Sequence, residues 1–216
     1  MKYYELNQRI ELIAQRIREI GGDVQEILIE EPATEIQVSE VERTLGVPLP
    51  TSFRKTLLEF SSNFSFRWFL PDDFKLPEKF RGIFCGTPHW GIKLIQEFDD
   101  DRKGWIENVF PNSEDEYDVV WHNKLAFLAV GNGDYIAFEL NGSEDPPVVY
   151  LSHDDGEGHG YKIGDNFLDF LEKWSKIAFV GAEDWQWLPF TTNKNSGIIS
   201  DGHAAIEFRS IMKLDL

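Results

Sequence analysis

The stretch from Leu125 to Tyr161, LAFLAVGNGDYIAFELNGSEDPPVVYLSHDDGEGHGY, limits the folds open to this chain more than any other. Three apolar runs of strand length, LAFLAV, DYIAFEL and VVYLSH, are broken by Gly131-Asn132-Gly133 and by NGSEDPP, compositions that supply turns. Links this short join neighbouring antiparallel strands, and strands this apolar need cover on at least one face. A buried antiparallel meander is expected, with acidic residues concentrated in its breaks, followed by a GEGHG segment too rich in glycine for regular structure.

The flanking sequence supplies the cover. Leu6, Ile10, Ile13, Ile17 and Ile20 recur at spacings of three and four, the stripe of an amphipathic helix that ends at Gly21-Gly22. Val24 to Ile29 reads as a short strand closed by Pro32. Thr34 with Gln37 forms a capping box for a second helix carrying Ile36, Val38, Val41 and Leu45, which Gly46 stops. In LGVPLPTSFRKTLLEFSS, Pro48 and Pro50 hold an extended link that inserts Leu49 into the core before a third helix with Phe53, Leu57, Leu58 and Phe60. The run FSFRWFL, residues 64–70, is expected as a strand at least half buried, and residues 71–91 as a long loop anchored by Phe74, Phe80, Phe84 and Trp90.

Ile92, Ile95, Phe98, Trp105, Ile106 and Val109 fall at roughly helical spacing, with an interruption expected near Gly104. Asp165 is the expected cap of a helix presenting Phe167, Phe170, Leu171, Trp174 and Ile177. Trp185, Trp187, Leu188 and Phe190 form an aromatic knot. Residues 191–200 are expected as a flexible linker to a last helix capped by Asp201, giving a domain over 1–190 and a linker-plus-helix extension over 191–216.

Charge narrows the function. With 38 acidic against 21 basic side chains the net charge is -17, which disfavours nucleic acid and anionic membranes as partners and suits a basic protein. The charge is also localised. Residues 99–118 hold Asp99, Asp100, Asp101, Glu107, Glu114, Asp115, Glu116 and Asp118 against Arg102 and Lys103, and residues 134–159 hold seven acids and no Lys or Arg. If these segments share one edge of the sheet, they present a single negative patch beside aromatic side chains such as Tyr117, Trp121 and Tyr135. Aromatics contribute buried area to an interface and acids contribute register and fast association. Glu114, Asp115, Glu116, Asp118, Trp121, Asp154, Asp155 and Glu157 are therefore the expected partner-binding residues.

Catalytic and metal patterns are weak by comparison. His153, Asp154, Asp155, Glu157 and His159 offer ligand atoms, but their spacing matches neither a calcium loop nor a zinc site. Asp134 with Asp154 or Glu139 has no fixed separation that would mark a hydrolytic pair. The single cysteine, Cys85, gives no sign of an oxidising compartment, and with His89 or His122 it lacks the setting of a nucleophile. VGNGDY lacks the helix and glycine spacing of a phosphate loop. No catalytic residue, metal or cofactor is expected. The mixed-charge N-terminus does not read as a signal peptide, and no stretch approaches the ~18 apolar residues of a membrane span. A cytoplasmic location follows as the expectation.

Taken in order, the helix ending in GG, ATEIQVSEVERTLGVPLPTSFRKTLLEFS, the strand FSFRWFL, VGNGDYIAFEL, PPVVYLSHDDGEGH and the helix NFLDFLEKW resemble the SUKH superfamily, which includes the Smi/Knr proteins. The resemblance covers roughly residues 1–190. It implies a single α+β domain with a twisted, mainly antiparallel sheet and helices packed against it. It implies structural roles for Gly46, Leu49 and Pro50 in the elbow and for Gly131 and Asp134 in the strand turn. Bacterial members resemble immunity proteins that neutralise toxins of their own lineage, and fungal relatives regulate cell-wall synthesis. The implied function is therefore a non-enzymatic immunity protein binding a cognate toxin domain, a basic nuclease in view of the charge. A regulatory or scaffold interaction module is the alternative, and a metal- or small-molecule-binding domain at His153 to His159 a third.

Overall fold

The computed structural model describes residues 2–216. Helix α1 (Tyr3–Glu19) buries Leu6, Ile10, Ile13 and Ile17, the predicted stripe, and leads through Gly21 into strand β1 (Asp23–Ile29). Helix α2 (Glu35–Leu45) starts at the Thr34–Gln37 capping box and stops at Gly46, whose φ of 75° is left-handed. A residue without Cβ adopts that conformation at little cost. Ile36 lies in its first turn but faces solvent, 79% exposed.

Helix α3 (Thr51–Glu59) begins at Pro50, which has no side chain able to cap it. The cap comes from a turn more than ninety residues away. Asp145 Oδ1 accepts from Ser52 N at 3.0 Å and from Ser52 Oγ at 2.6 Å, while Thr51 N donates to Glu144 O at 2.9 Å. The PLP elbow and the NGSEDPP turn are thereby clamped together, with Leu49 buried between them and the core.

Strand β2 (Asn63–Phe69) is the centre of the first sheet. It pairs antiparallel with β1 on one edge and, on the other, with two short strands, β3 (Cys85–Gly86) and β4 (His89–Gly91). These two were hidden inside the segment expected as a loop. Helix α4 (Ile95–Asn108) runs through Gly104 without a break, correcting the expected interruption. The second sheet is the predicted meander, β5 (Lys124–Ala129), β6 (Tyr135–Glu139) and β7 (Val148–Leu151), extended by β8 (Lys162–Gly164). Gly133, with φ of 103°, turns β5 into β6.

Helix α5 (Phe167–Lys176) is capped by Asn166, whose side chain accepts from Asp169 N, and not by Asp165, which pairs with Lys162. A short helix α6 (Asp184–Trp187) carries the aromatic knot, and α7 (His203–Met212) starts at Gly202, which takes the cap position expected of Asp201. Residues 191–200 are irregular yet tied down, with Ile198 buried and its N–H donating to Ile163 O. Phe208 of α7 packs on Phe80 and Phe190, so the C-terminal segment shares the main core.

The second sheet is buried on both faces. Phe127, Ile136, Phe138, Val148 and Tyr150 face the main core with α1, α3 and α5. Ala126, Tyr135, Ala137, Val149 and Leu151 face a smaller core closed by Phe98, Trp105, Phe110 and Trp121. Helix α4 and the segment that follows it form an outer layer over this sheet.

Candidate functional site

The outer layer carries the first acidic segment, and the β7–β8 loop carries Asp154, Asp155 and Glu157 of the second. They meet at Tyr117. Its hydroxyl donates to Ser152 O at 2.7 Å and accepts from Asp155 N at 3.0 Å, and its ring stacks on His159 with centroids 3.7 Å apart. Trp105 of α4 lies against the His153 ring at 5.2 Å, and Tyr135 Oη reaches Asp101 at 3.4 Å. Helix α4 and the 112–118 loop thus lie beside the 153–157 loop, whereas Glu144 and Asp145 of the second segment lie at the other end of the meander, clamped to α3.

On the face that α4 and these two loops share, the acids divide. Glu114 and Glu116 are exposed. Asp115 is exposed too, but its Oδ1 accepts from Tyr117 N and Asp118 N, which holds its carboxyl below the usual range. Asp118 is half-buried and accepts from Asn112 N. Asp154 and Asp155 are exposed; Asp154 accepts from Ser152 Oγ, which shapes the loop. Glu157 is ion-paired with Arg81 at 2.8 Å, and this partner holds its carboxyl low. Trp121 is a correction: it is 0% exposed, its indole donates to Ser152 O, and it belongs to the small core that supports the face.

Several acids counted toward the charge serve the fold instead. Asp99 is buried against Arg102 at 2.7 Å and Lys103 at 2.9 Å, and Arg102 also donates to Trp121 O. Glu139 faces the buried Lys124, and Asp145 caps α3. Asp134, 1% exposed, is a hub: Oδ1 accepts from His153 N at 2.8 Å and His153 Nδ1 at 2.7 Å, while Oδ2 accepts from Asn132 Nδ2 and Tyr150 Oη. Tyr150 Oη in turn accepts from Asp184 N, and burial beside Asp134 strongly raises the tyrosine's pKa. The hub ties the start of β6 to the end of β7. Nothing in the spacing marked Tyr150, Asp184, Arg81 or Trp105 as members of this network.

Of the two histidines in the 153–159 loop, His159 has both ring nitrogens engaged and His153 has Nδ1 engaged. His159 Nδ1 accepts from Ser152 N at 3.0 Å, which fixes the proton on Nε2, and Nε2 donates to Tyr117 O at 3.0 Å. Burial lowers its pKa and favours that neutral form. Atoms of Asp134, His153 and Asp154 lie within 4.8 Å of one another, a spacing that suits a metal. Both Asp134 oxygens and His153 Nδ1 are, however, already committed to hydrogen bonds, and Asp154 is exposed. Cys85 is buried against Gln186, and burial raises its thiol pKa, away from the thiolate a nucleophile needs. Asp134 and Glu139 sit at opposite ends of β6, too far along the strand to act as a pair.

The model of the SMI1/KNR4 family (SUKH-1) matches residues 32–173. The chain belongs to this family. No curated protein matches it. The matched span is narrower than the resemblance over 1–190: it opens just before the Thr34 cap and closes within α5. It contains the SUKH-1 elbow with Gly46, Leu49 and Pro50, the Gly131–Asp134 turn, the outer layer and both acidic loops. SUKH domains are protein-interaction modules, which fits a face made of shaped loops better than it fits a pocket. No helix among the described residues is long and apolar enough to cross a membrane.

Proposed function

We propose that this SUKH-1 protein is a non-enzymatic immunity protein that neutralises a cognate toxin by covering it with the acidic face. The toxin domain is basic, a nuclease. The observation that carries this reading is the convergence of the two acidic loops on Tyr117, which leaves Glu114, Glu116, Asp154 and Asp155 exposed on one rigidly supported surface. A nuclease cleft is positively charged because it must replace the counterions of a phosphate backbone. Carboxylates carried on anchored loops offer such a cleft an alternative set of negative charges, and the protein's large net charge speeds the encounter.

The test is whether a toxin domain is encoded beside the gene and whether this protein binds that domain and protects against it. Paired reversals, Asp154→Lys with Asp155→Lys and Glu114→Lys with Glu116→Lys, are expected to slow association roughly tenfold or more at low salt and to weaken protection. Thermal stability should hold for the Glu114 and Glu116 pair, whose side chains are exposed, and fall by about 1–2 kcal/mol for the other pair, because Asp154 accepts from Ser152 Oγ and Asp155 has a left-handed φ of 62°. Full protection by a protein carrying both pairs of reversals would remove the acidic face from the mechanism.

A further inference from the structure

Strand β1 is an open edge. Among the described residues it pairs only with β2, and every residue along it is exposed or half-exposed. The register decides which of its backbone groups remain open. Phe66 N donates to Pro88 O and Leu70 N to Phe84 O, so the even-numbered residues of β2 point their backbone at the β3–β4 side. The odd-numbered ones therefore point at β1, where Arg67, Ser65 and Asn63 meet Glu26, Leu28 and Glu30. In an antiparallel ladder alternate residues turn their N–H and C=O outward. On β1 those are Ile27 and Ile29.

The side chains of the same two residues are also uncovered. Ile27 lies opposite Phe66 and Ile29 opposite Phe64, on the core face of the sheet, yet they remain 43% and 40% exposed. The core face thus runs past the last strand into solvent. Natural edges of this kind are blunted with charged side chains, Pro or a bulge, and here Glu26 and Glu30 supply the charge, which repels acidic strands and leaves the edge open to basic ones. The one bulge here falls between Val24 and Glu26 and leaves Glu26 to Ile29 regular.

We infer that β1 is a docking edge for an extended segment of a basic partner, which adds as a further antiparallel strand. Charge selects the occupant. Residues 23–31 contain Asp23, Glu26, Glu30 and Glu31 and no Lys or Arg. A second copy of β1 paired about Leu28 would set Glu26 against Glu30 twice, where like charges directly opposite destabilise a sheet, and any other register still brings together two segments of four acids each with no compensating base. The complementary strand has small apolar residues opposite Ile27 and Ile29, and Lys or Arg opposite Glu26 and Glu30. Main-chain bonds then give affinity and the alternating side chains give selection. This edge belongs to the other sheet from the acidic face, so its failure and the failure of the proposed function are separate results.

The probe is a short capped peptide centred on Lys-Val-Thr-Val-Lys, compared with its charge-inverted form Glu-Val-Thr-Val-Glu and with a scrambled peptide of equal charge. Amide hydrogen exchange read by NMR should show Ile27 and Ile29 slowing at least roughly tenfold on saturation with the basic peptide alone. Ile27→Pro removes an outward donor without touching the ladder to β2, and Ile29→Lys adds repulsion without altering the backbone. Each should weaken binding about tenfold or more, and Ile29→Lys decides the matter if Ile27→Pro unfolds. Three results would overturn the inference. They are equal binding of the scrambled peptide, protection confined to other segments, and a β1 edge already protected by self-association.

Discussion

Replacing Asp134 by Ala probes the hub that joins β6 to β7. The carboxylate accepts four hydrogen bonds, but the four donors do not suffer equally when it is lost. Asn132 is exposed and the His153 side chain is 24% exposed, so both can turn to water. Tyr150 Oη and the backbone N–H of His153 cannot. An orphaned buried donor costs about 1–3 kcal/mol, and the acceptor lost here is ionised, which argues for the upper half. Release of a buried charge offsets part of this. A net loss of about 3 kcal/mol is expected, equivalent to a fall of about 6–12 °C in Tm for a chain of this size. The decisive assay is a double-mutant cycle by urea unfolding with Tyr150→Phe, which removes the stranded hydroxyl proton. The double variant should recover about 1–2 kcal/mol relative to the sum of the singles. A loss under about 0.5 kcal/mol for Asp134→Ala, with strict additivity in the cycle, would refute the accounting.

Asp145→Ala should cost about 0.5–2 kcal/mol by uncapping α3 from a distance, measured as a lower Tm with native far-UV dichroism. Burial lowers the pKa of His159 and of His89 below the unfolded value of about 6.5, so the unfolded chain binds more protons there. Their contribution to stability is complete above that pH and is lost as the pH falls through it. Urea midpoints should drop from neutral to mildly acidic pH, and by less in His159→Gln. At the alkaline end, Tyr135 is pushed up to about 12, first by burial and then by Asp101, and burial raises Tyr117 and Tyr150 as well. Ultraviolet titration should show these phenols ionising above the usual range or only on unfolding. Chelator should leave Tm unchanged, because the oxygens of Asp134 are spent on protein donors; a shift on dialysis against chelator would instead reveal a bound metal.

The helices and the meander were legible because their signals are local: periodic stripes, a capping box at Thr34, a left-handed stop at Gly46, glycine at the hairpin turn. Three misreadings have other causes. Gly104 looked like a break, but a glycine on the solvent side of a helix whose other face packs on Ala126 and Tyr135 costs only about 1 kcal/mol, less than that packing returns. The strands at Cys85–Gly86 and His89–Gly91 are two and three residues long and exist only because β2 offers them an edge. Asn166 displaced Asp165 as a cap by a single position, within the reach of either side chain. For the site, the placement of charge along the chain indicated the acidic face, while the fate of each acid depended on partners distant in sequence. Asp145 meets Ser52, Glu157 meets Arg81, and Trp121 turns inward to Ser152. No window of sequence contains both members of those pairs.

The small core beneath α4 separates two tasks that many binding proteins combine. Loops 112–118 and 153–157 rest on Phe98, Trp105, Phe110 and Trp121, while the sheet below is anchored on its other face by an independent set of aromatic side chains. If the acidic face docks the partner we propose, loop residues can be exchanged with any loss of fit absorbed in the thin upper layer before it reaches the foundations, as in a mount with an interchangeable head.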